Sequence, residues 1–139
     1  MSVVDAIGRA TEAFDFTNLT QTVIVSQNVS EKRARELVEE YRRYIFLIER
    51  TRQRLPMASP VVDKIWHLHL EMSVDYTRMC DALKISIGHD KDAAYEDVIN
   101  FRELYERHFG PLGSDWCDPT DGKPFKQTLC VPTIRPSTH

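Results

Sequence analysis

The sequence predicts an all-α fold, a single-domain bundle of about five helices followed by an irregular C-terminal tail. Two observations indicate it: apolar residues recur at helical spacing over most of residues 3–109, and cap residues or prolines separate the periodic stretches. A chain of 139 residues, 42% hydrophobic and 28% charged, can form one domain with its own core. We expect a helical domain over residues 1–116 and the tail over 117–139.

The first half of the chain predicts two helices and one undecided segment. Apolar residues at helical spacing predict a helix over residues 3–14. Residues 15–29 are rich in Thr, Asn and Val, and they fit an irregular connection, a short helix or a strand. After Ser30, which can act as an N-cap, a continuous apolar stripe predicts a helix over about 31–53 that ends before the proline of LPMASP.

A central helix is predicted next. Ser59 followed by Pro60 is typical of an N-cap and first helical turn. The helix that they open contains DKIWHLHLEM, residues 63–72, and most of its circumference is apolar or aromatic. Such a helix packs against neighbours on more than one side, so we expect it to be central.

Two further helices complete the predicted bundle. Ser73 can cap a helix over residues 74–84, with its apolar side chains directed inward. After a turn at ISIGH, Asp90 or Asp92 can start a last helix that stops at Gly110. The remaining sequence is interrupted by Pro and Gly, which predicts an irregular tail with a mobile end.

Charge and composition exclude several classes of protein. A net charge of −3 and a pI near 5.9 argue against a protein that binds nucleic acid mainly through charge. No apolar run approaches the ~18 residues of a membrane span, and the start of the chain lacks the pattern of a signal peptide. An odd number of cysteines, three, favours reduced thiols. We therefore expect a cytoplasmic protein without nucleic-acid or membrane partners.

The two histidines of DKIWHLHLEM limit what this helix can bind. Residues two apart on a regular helix point ~200° away from each other, so His67 and His69 can share one metal only if the helix breaks near Ser73. Asp63 and His67 lie on the same face. They can act as two ligands, or Asp63 can orient the His67 ring.

Further candidates follow on the next helix and after it. They are Tyr76 and Cys80 on the next helix and His89 after it; if the central helix and its successor form a hairpin, Cys80 and His89 can face the central helix. A His, Asp and Cys set suits zinc or another divalent transition metal. Hydrogen-bonded core histidines and a buried Cys80 explain the same pattern without a metal. Cys117 and Cys130 lack a CxxC pair, so a zinc site in the tail is not predicted.

Taken together, several motifs resemble a known family. They are EEYRRYIFLIER, then SPVVDKIWHLHLEMSVDYTRMCDAL, then GH, and finally FRELYERHFG with a following SDW. This series, over roughly residues 36–116, resembles the glycine-rich domain-containing protein-like family of bacteria, fungi and plants, whose hallmark is a D-x-x-W-H-x-H segment. The chain itself has only five glycines.

The resemblance implies a helical fold and a polar cluster. It picks out Asp63, Trp66, His67, His69, Tyr76, Cys80 and His89. Two departures from the family pattern matter. Ser73 stands where family members often have a helix-ending proline, and Gly88 precedes His89 where many bacterial relatives show paired histidines.

Two functions from different classes remain open. In the first, the protein is a divalent-metal-dependent enzyme, a hydrolase or lyase, that acts on a small-molecule substrate. Its metal ligands would be His67, His69 and His89, and its catalytic residues Asp63, His67, Tyr76 and Cys80. In the second, the WHxH cluster is a structural hydrogen-bond network in a non-catalytic helical module that binds a protein partner or a second copy of itself.

Overall fold

The computed structural model describes residues 9–90, 97–126 and 128–136. Within them, the helices are α1 (Arg9–Ala13), α2 (Thr17–Gln27), α3 (Glu31–Thr51), α4 (Pro60–Glu71), α5 (Ser73–Leu83) and α6 (Asp97–Phe109). Strand β1 (Ile85–Asp90) lies between α5 and α6 along the chain, and a 3₁₀ turn (Ser114–Trp116) and strand β2 (Val131–Pro136) follow α6. Residues 3–8 of the predicted first helix and Asp92, one candidate start of the last helix, lie outside the described residues.

Of the three serine N-caps that the sequence predicts, Ser30 and Ser59 are confirmed and Ser73 is not. The Ser30 side chain accepts a hydrogen bond from the backbone of Arg33 at 3.1 Å, and Ser59 accepts one from Val62 at 3.2 Å. Each bond satisfies an amide that the first helical turn leaves without a partner. Helix α3 ends slightly earlier than predicted, where Arg52 adopts a left-handed conformation with φ 57°.

The undecided segment 15–29 contains a helix. The Asp15 carboxylate accepts a hydrogen bond from the amide of Thr17 at 2.9 Å and so helps to start α2. Leu19 and Val23 are fully buried and α2 packs on α3, so tertiary contacts select the helix over the other two readings. The helix ends where Asn28 turns left-handed.

Helices α3 and α4 form the centre of the core, as predicted for α4. The largest fully buried side chains of α3 and α4 are Tyr41, Tyr44, Ile45, Leu47, Ile48, Ile65 and Trp66. Helix α6 contributes the buried side chains of Phe101 and Tyr105 to one side of this core. None of the helices in the described ranges is both long and apolar enough to cross a membrane.

Helices α4 and α5 meet at a sharp break. Helix α4 ends at Glu71, and Met72 departs from helical geometry with φ −84° and ψ 68°. Its amide still donates to the carbonyl of His69 at 3.0 Å. The predicted break is confirmed, but Ser73 is the first residue of α5 and makes no capping hydrogen bond through its side chain.

A small antiparallel sheet corrects the prediction of a purely helical fold with an irregular tail. Strands β1 and β2 pair with Ile85 opposite Pro136 and Asp90 opposite Val131. The segment ISIGH is therefore a strand, because Ile85 and Ile87 alternate inward onto the core. The tail supplies the second strand, so its residues 131–136 are regular. The fold is a mostly helical bundle with one β-ribbon.

Tyr44 provides a test of the core. Its hydroxyl donates to the carbonyl of Leu55 at 2.6 Å, and both residues are almost fully buried. We expect Tyr44→Phe to lower the free energy of unfolding by about 1–2 kcal/mol, because the Leu55 carbonyl loses its partner inside the core. Urea denaturation measures this change. Thr22→Val removes an exposed hydroxyl bond and serves as the control, so an equal loss in both variants would contradict the assignment.

Candidate metal centre

Asp63 is the centre of a polar cluster at the start of α4. Its Oδ1 accepts a hydrogen bond from the thiol of Cys130 at 3.0 Å, and its Oδ2 lies 3.2 Å from Nε2 of His67. Nε2 of His89 lies 3.8 Å from Oδ1. We call Asp63, His67, His89 and Cys130 the Asp63 cluster. Three separate parts of the chain, α4, β1 and the tail, contribute to it.

The backbone around the Asp63 cluster fixes its members. Cys130 lies beside the segment that leads into α4, where the Met57 amide donates to the Cys130 carbonyl at 2.8 Å. His89 comes from β1. The centroid of its ring lies 4.7 Å from that of the Trp66 ring and 4.4 Å from that of the His67 ring. Strand pairing and aromatic contacts therefore position both side chains before any ligand binds.

Asp63, His89 and Cys130 form a set that suits a metal ion. One ligand atom from each lies within 4.8 Å of the others. A tetrahedral zinc with bonds of about 2.0–2.3 Å holds its donors roughly 3.3–3.8 Å apart, which is close to the separations of 3.0 and 3.8 Å around Asp63. Carboxylate, imidazole and thiolate donors are those that zinc binds in proteins.

The thiol of Cys130 is protonated without a metal. Burial, and then its hydrogen bond to the Asp63 carboxylate, raise the pKa of the Cys130 thiol far above its ordinary value. A bound divalent ion would replace that proton, because thiolate is the form that ligates metals. The thiol-to-carboxylate bond therefore occupies the place that a metal would take between the same two side chains.

His67 lies at the edge of the Asp63 cluster. Half of its side chain, 49%, is exposed, whereas Asp63 is only 17% exposed. It is not part of the set whose donor atoms fall within 4.8 Å of one another. The predicted proximity of Asp63 and His67 on one helical face is nevertheless present. His67 is thus between solvent and the buried donors.

His69 is not brought together with His67 and His89. It is fully buried, with Nδ1 at 2.7 Å from the Tyr41 hydroxyl and Nε2 at 2.8 Å from Asp75 Oδ2. Helix α4 continues regularly through His69, so the break at Met72 comes too late to redirect it. We call Tyr41, His69 and Asp75 the His69 network.

The charge states within the His69 network follow from burial. The ionised Asp75 carboxylate can only accept, so Nε2 of neutral His69 carries the proton and donates to it. Nδ1 is then an acceptor, and the Tyr41 hydroxyl, whose pKa is raised well above its ordinary value by desolvation, donates to it. Both ring nitrogens of His69 are thereby occupied in hydrogen bonds, and neither is directed at the Asp63 cluster.

Tyr76 and Cys80 are not members of the Asp63 cluster either. The Tyr76 hydroxyl donates to the Ile87 carbonyl at 2.6 Å and accepts from Trp66 Nε1 at 3.2 Å, which joins α4, α5 and β1. Burial raises the pKa of the Cys80 thiol, which opposes formation of a nucleophilic thiolate. The catalytic roles predicted for these two residues remain predictions.

Cys130 is the residue that sequence reasoning missed. Without a CxxC pair it is not predicted to be a ligand, yet it contacts Asp63 across 67 residues of sequence. The spacing of residues along the sequence does not indicate contacts over such a separation. The usable signal was the apolar, β-branched stretch LCVPTI, which is typical of a strand and implies that the tail packs on the domain.

The His69 network predicts a pH dependence of stability. Burial lowers the pKa of His69 below 6.5, and the hydrogen bond to Asp75 partly opposes this shift. As pH falls from about 6.5 towards the pKa of His69 in the folded protein, the unfolded chain binds a proton that the folded protein does not. The free energy of unfolding therefore decreases over this pH range. Urea denaturation across this range measures the slope. An unchanged slope in His69→Asn would contradict the prediction.

Comparisons of the chain with family models, with curated proteins and with solved structures found no match. The resemblance to the glycine-rich domain-containing protein-like family therefore stays a prediction.

Proposed function

We propose that the protein is a divalent-metal-dependent enzyme, a hydrolase or lyase acting on a small molecule, with zinc as the best-suited metal. Asp63, His89 and Cys130 would be its ligands, in place of the three histidines that the sequence predicts. The observation that carries the proposal is the convergence of these three donors within 4.8 Å from three separate segments.

Three protein ligands are the arrangement of catalytic rather than structural zinc. With three ligands from the protein, a bound zinc would leave room for a water molecule and would lower the pKa of that water towards neutrality. His67, half exposed and 3.2 Å from Asp63, would exchange a proton with that water. Asp63 would then be a ligand and His67 the acid or base.

A second candidate function is supported by the His69 network. Its hydrogen bonds join α3, α4 and α5 and explain one of the two WHxH histidines without a metal. If the Asp63 cluster is also only structural, the protein is a non-catalytic helical module that binds a protein partner or another copy of itself through its surface. Metal binding distinguishes the two functions.

The first experiment is metal analysis of protein purified without an affinity tag and reconstituted with zinc. We expect one equivalent of zinc in the unmodified protein, and its loss in Cys130→Ser and Asp63→Asn with helicity retained. Cys117→Ser is the matched control, because this thiol lies outside the Asp63 cluster and its loss should leave binding unchanged. Zinc retained equally in all variants, or absent from the unmodified protein, contradicts the proposal.

Catalysis is tested separately on a simple ester, 4-nitrophenyl acetate. We expect zinc-dependent hydrolysis that falls about 100-fold in His67→Ala, because a positioned acid or base contributes that much or more. Zinc content should be unchanged in this variant. Bound zinc without any hydrolysis above that of the Cys130→Ser protein would favour the non-catalytic module.

A further inference from the structure

A cavity of about 440 Å³ lies between α1, the start of α2 and α5. We call it the α1–α5 cavity. Its walls combine apolar and charged groups: Ala10, Ala13, Phe14, Asp15, Asn18, Asp75, Arg78 and Ala82. The volume is that of ordinary small-molecule sites, which pair apolar walls with a few placed polar groups.

Asp75 supplies a fixed negative charge to the cavity wall. It is 7% exposed, its Oδ2 accepts from His69, and its Oδ1 accepts from the Asn18 amide at 3.3 Å. These partners are neutral, so they hold the carboxylate in place without cancelling its charge. Each carboxylate oxygen can accept one more hydrogen bond. The His69 network thus orients an anion towards the cavity.

Arg78 supplies a positive charge to the same cavity. It lies one helical turn after Asp75 on α5, is exposed, and forms no ion pair with any of the described residues. Its guanidinium can therefore form a bidentate pair with a carboxylate. Phe14 and three alanines provide the apolar surface between the charged groups.

We propose that the α1–α5 cavity binds a small zwitterion with an apolar body, of the class of α-amino acids. The ligand's ammonium group donates to Asp75, and its carboxylate pairs with Arg78. An apolar side chain of the ligand packs on Phe14. One ligand with both charges pairs with Asp75 and Arg78 at once, whereas a simple amine or a simple acid leaves one of these two groups without a partner.

This cavity is separate from the Asp63 cluster. His69, which holds Asp75, and His67, which lies at the metal centre, project from opposite sides of α4. Binding of the zwitterion therefore does not depend on zinc. The failure of one proposal leaves the other standing, since each has its own variants and readout.

The experiment is calorimetric titration of the full chain with three matched probes. Leucine carries both charges, leucinamide lacks the carboxylate, and 4-methylpentanoate lacks the ammonium group. We expect leucine to bind at one equivalent and each of the other probes at least about tenfold more weakly, since each loses one charged hydrogen-bonding pair. Ala82→Phe, which fills the cavity from an exposed position, should abolish binding.

Arg78→Gln identifies the carboxylate partner. This variant should weaken leucine binding about tenfold and leave leucinamide binding unchanged. Arg107→Gln, an exposed arginine on α6 outside the cavity, is the matched control and should bind leucine normally. Absence of leucine binding, equal binding of all three probes, or full leucine binding by Ala82→Phe would each overturn the proposal.

Discussion

Replacing His69 by alanine is expected to destabilise the protein by about 3–4 kcal/mol. The substitution opens a space in a fully buried position and removes the partners of both the Tyr41 hydroxyl and the Asp75 carboxylate. A cavity together with buried polar groups left without partners accounts for a loss of this size. Chemical denaturation of the purified variant measures the change.

The control is the same substitution two residues earlier on the same helix. His67 is half exposed, so His67→Ala should cost less than about 1 kcal/mol. Comparison of the two alanine variants distinguishes the structural roles of the two histidines in the WHxH segment. Equal losses of stability in the two variants would contradict the placement of His69 in a buried network and of His67 at a surface-accessible site.

A chain that stops after Leu129 is expected to lose about 3 kcal/mol or more of stability and all zinc binding. It lacks Cys130 and Val131, which are 1% and 2% exposed, and it lacks the strand that pairs with β1. Burial of one such apolar side chain contributes about 1.5–3 kcal/mol, and loss of the strand exposes the edge of β1 as well. Denaturation and metal analysis measure the two effects.

The truncation distinguishes the observed tail from the mobile tail that the sequence predicts. A mobile tail could be removed with almost no loss of stability. Arg135→Ala provides the control within β2, since this exposed side chain should change stability by under about 0.5 kcal/mol. A truncated chain as stable as the full one would contradict the pairing of β2 with β1.

The helical part of the fold was predictable because its signals are local. Ser30 and Ser59 act within one turn of the helices that they cap, and the apolar stripe of α3 repeats every three or four residues. The helix of segment 15–29 was not decided by sequence, because contacts of Leu19 and Val23 with other helices select it. Local patterns carry no information about such contacts.

The β-ribbon was missed for a different reason. The prolines of VPTIRP weigh against a central strand, and the short ISIGH segment resembles a turn between two helices. Both segments are edge strands, where proline is tolerated because one side of the backbone does not pair. Their pairing joins residues far apart in sequence.

The candidate site was predictable only in part. Asp63 and His67 share a helical face, which periodicity predicts, and His89 does approach them. His69 was grouped with these residues because of its position in the motif, whereas helix geometry already separated it from His67. Cys130 could not be found, since its contact with Asp63 depends on the fold of the tail.

The central claim, a metal centre at Asp63, His89 and Cys130, is tested most directly by the absorption spectrum of the cobalt-substituted protein. After removal of zinc with a chelator, titration with Co²⁺ should produce a thiolate-to-cobalt charge-transfer band that saturates at one equivalent. The band should disappear in Cys130→Ser and persist in Cys117→Ser and His69→Asn. Absence of the band, or its persistence in Cys130→Ser, would contradict the claim.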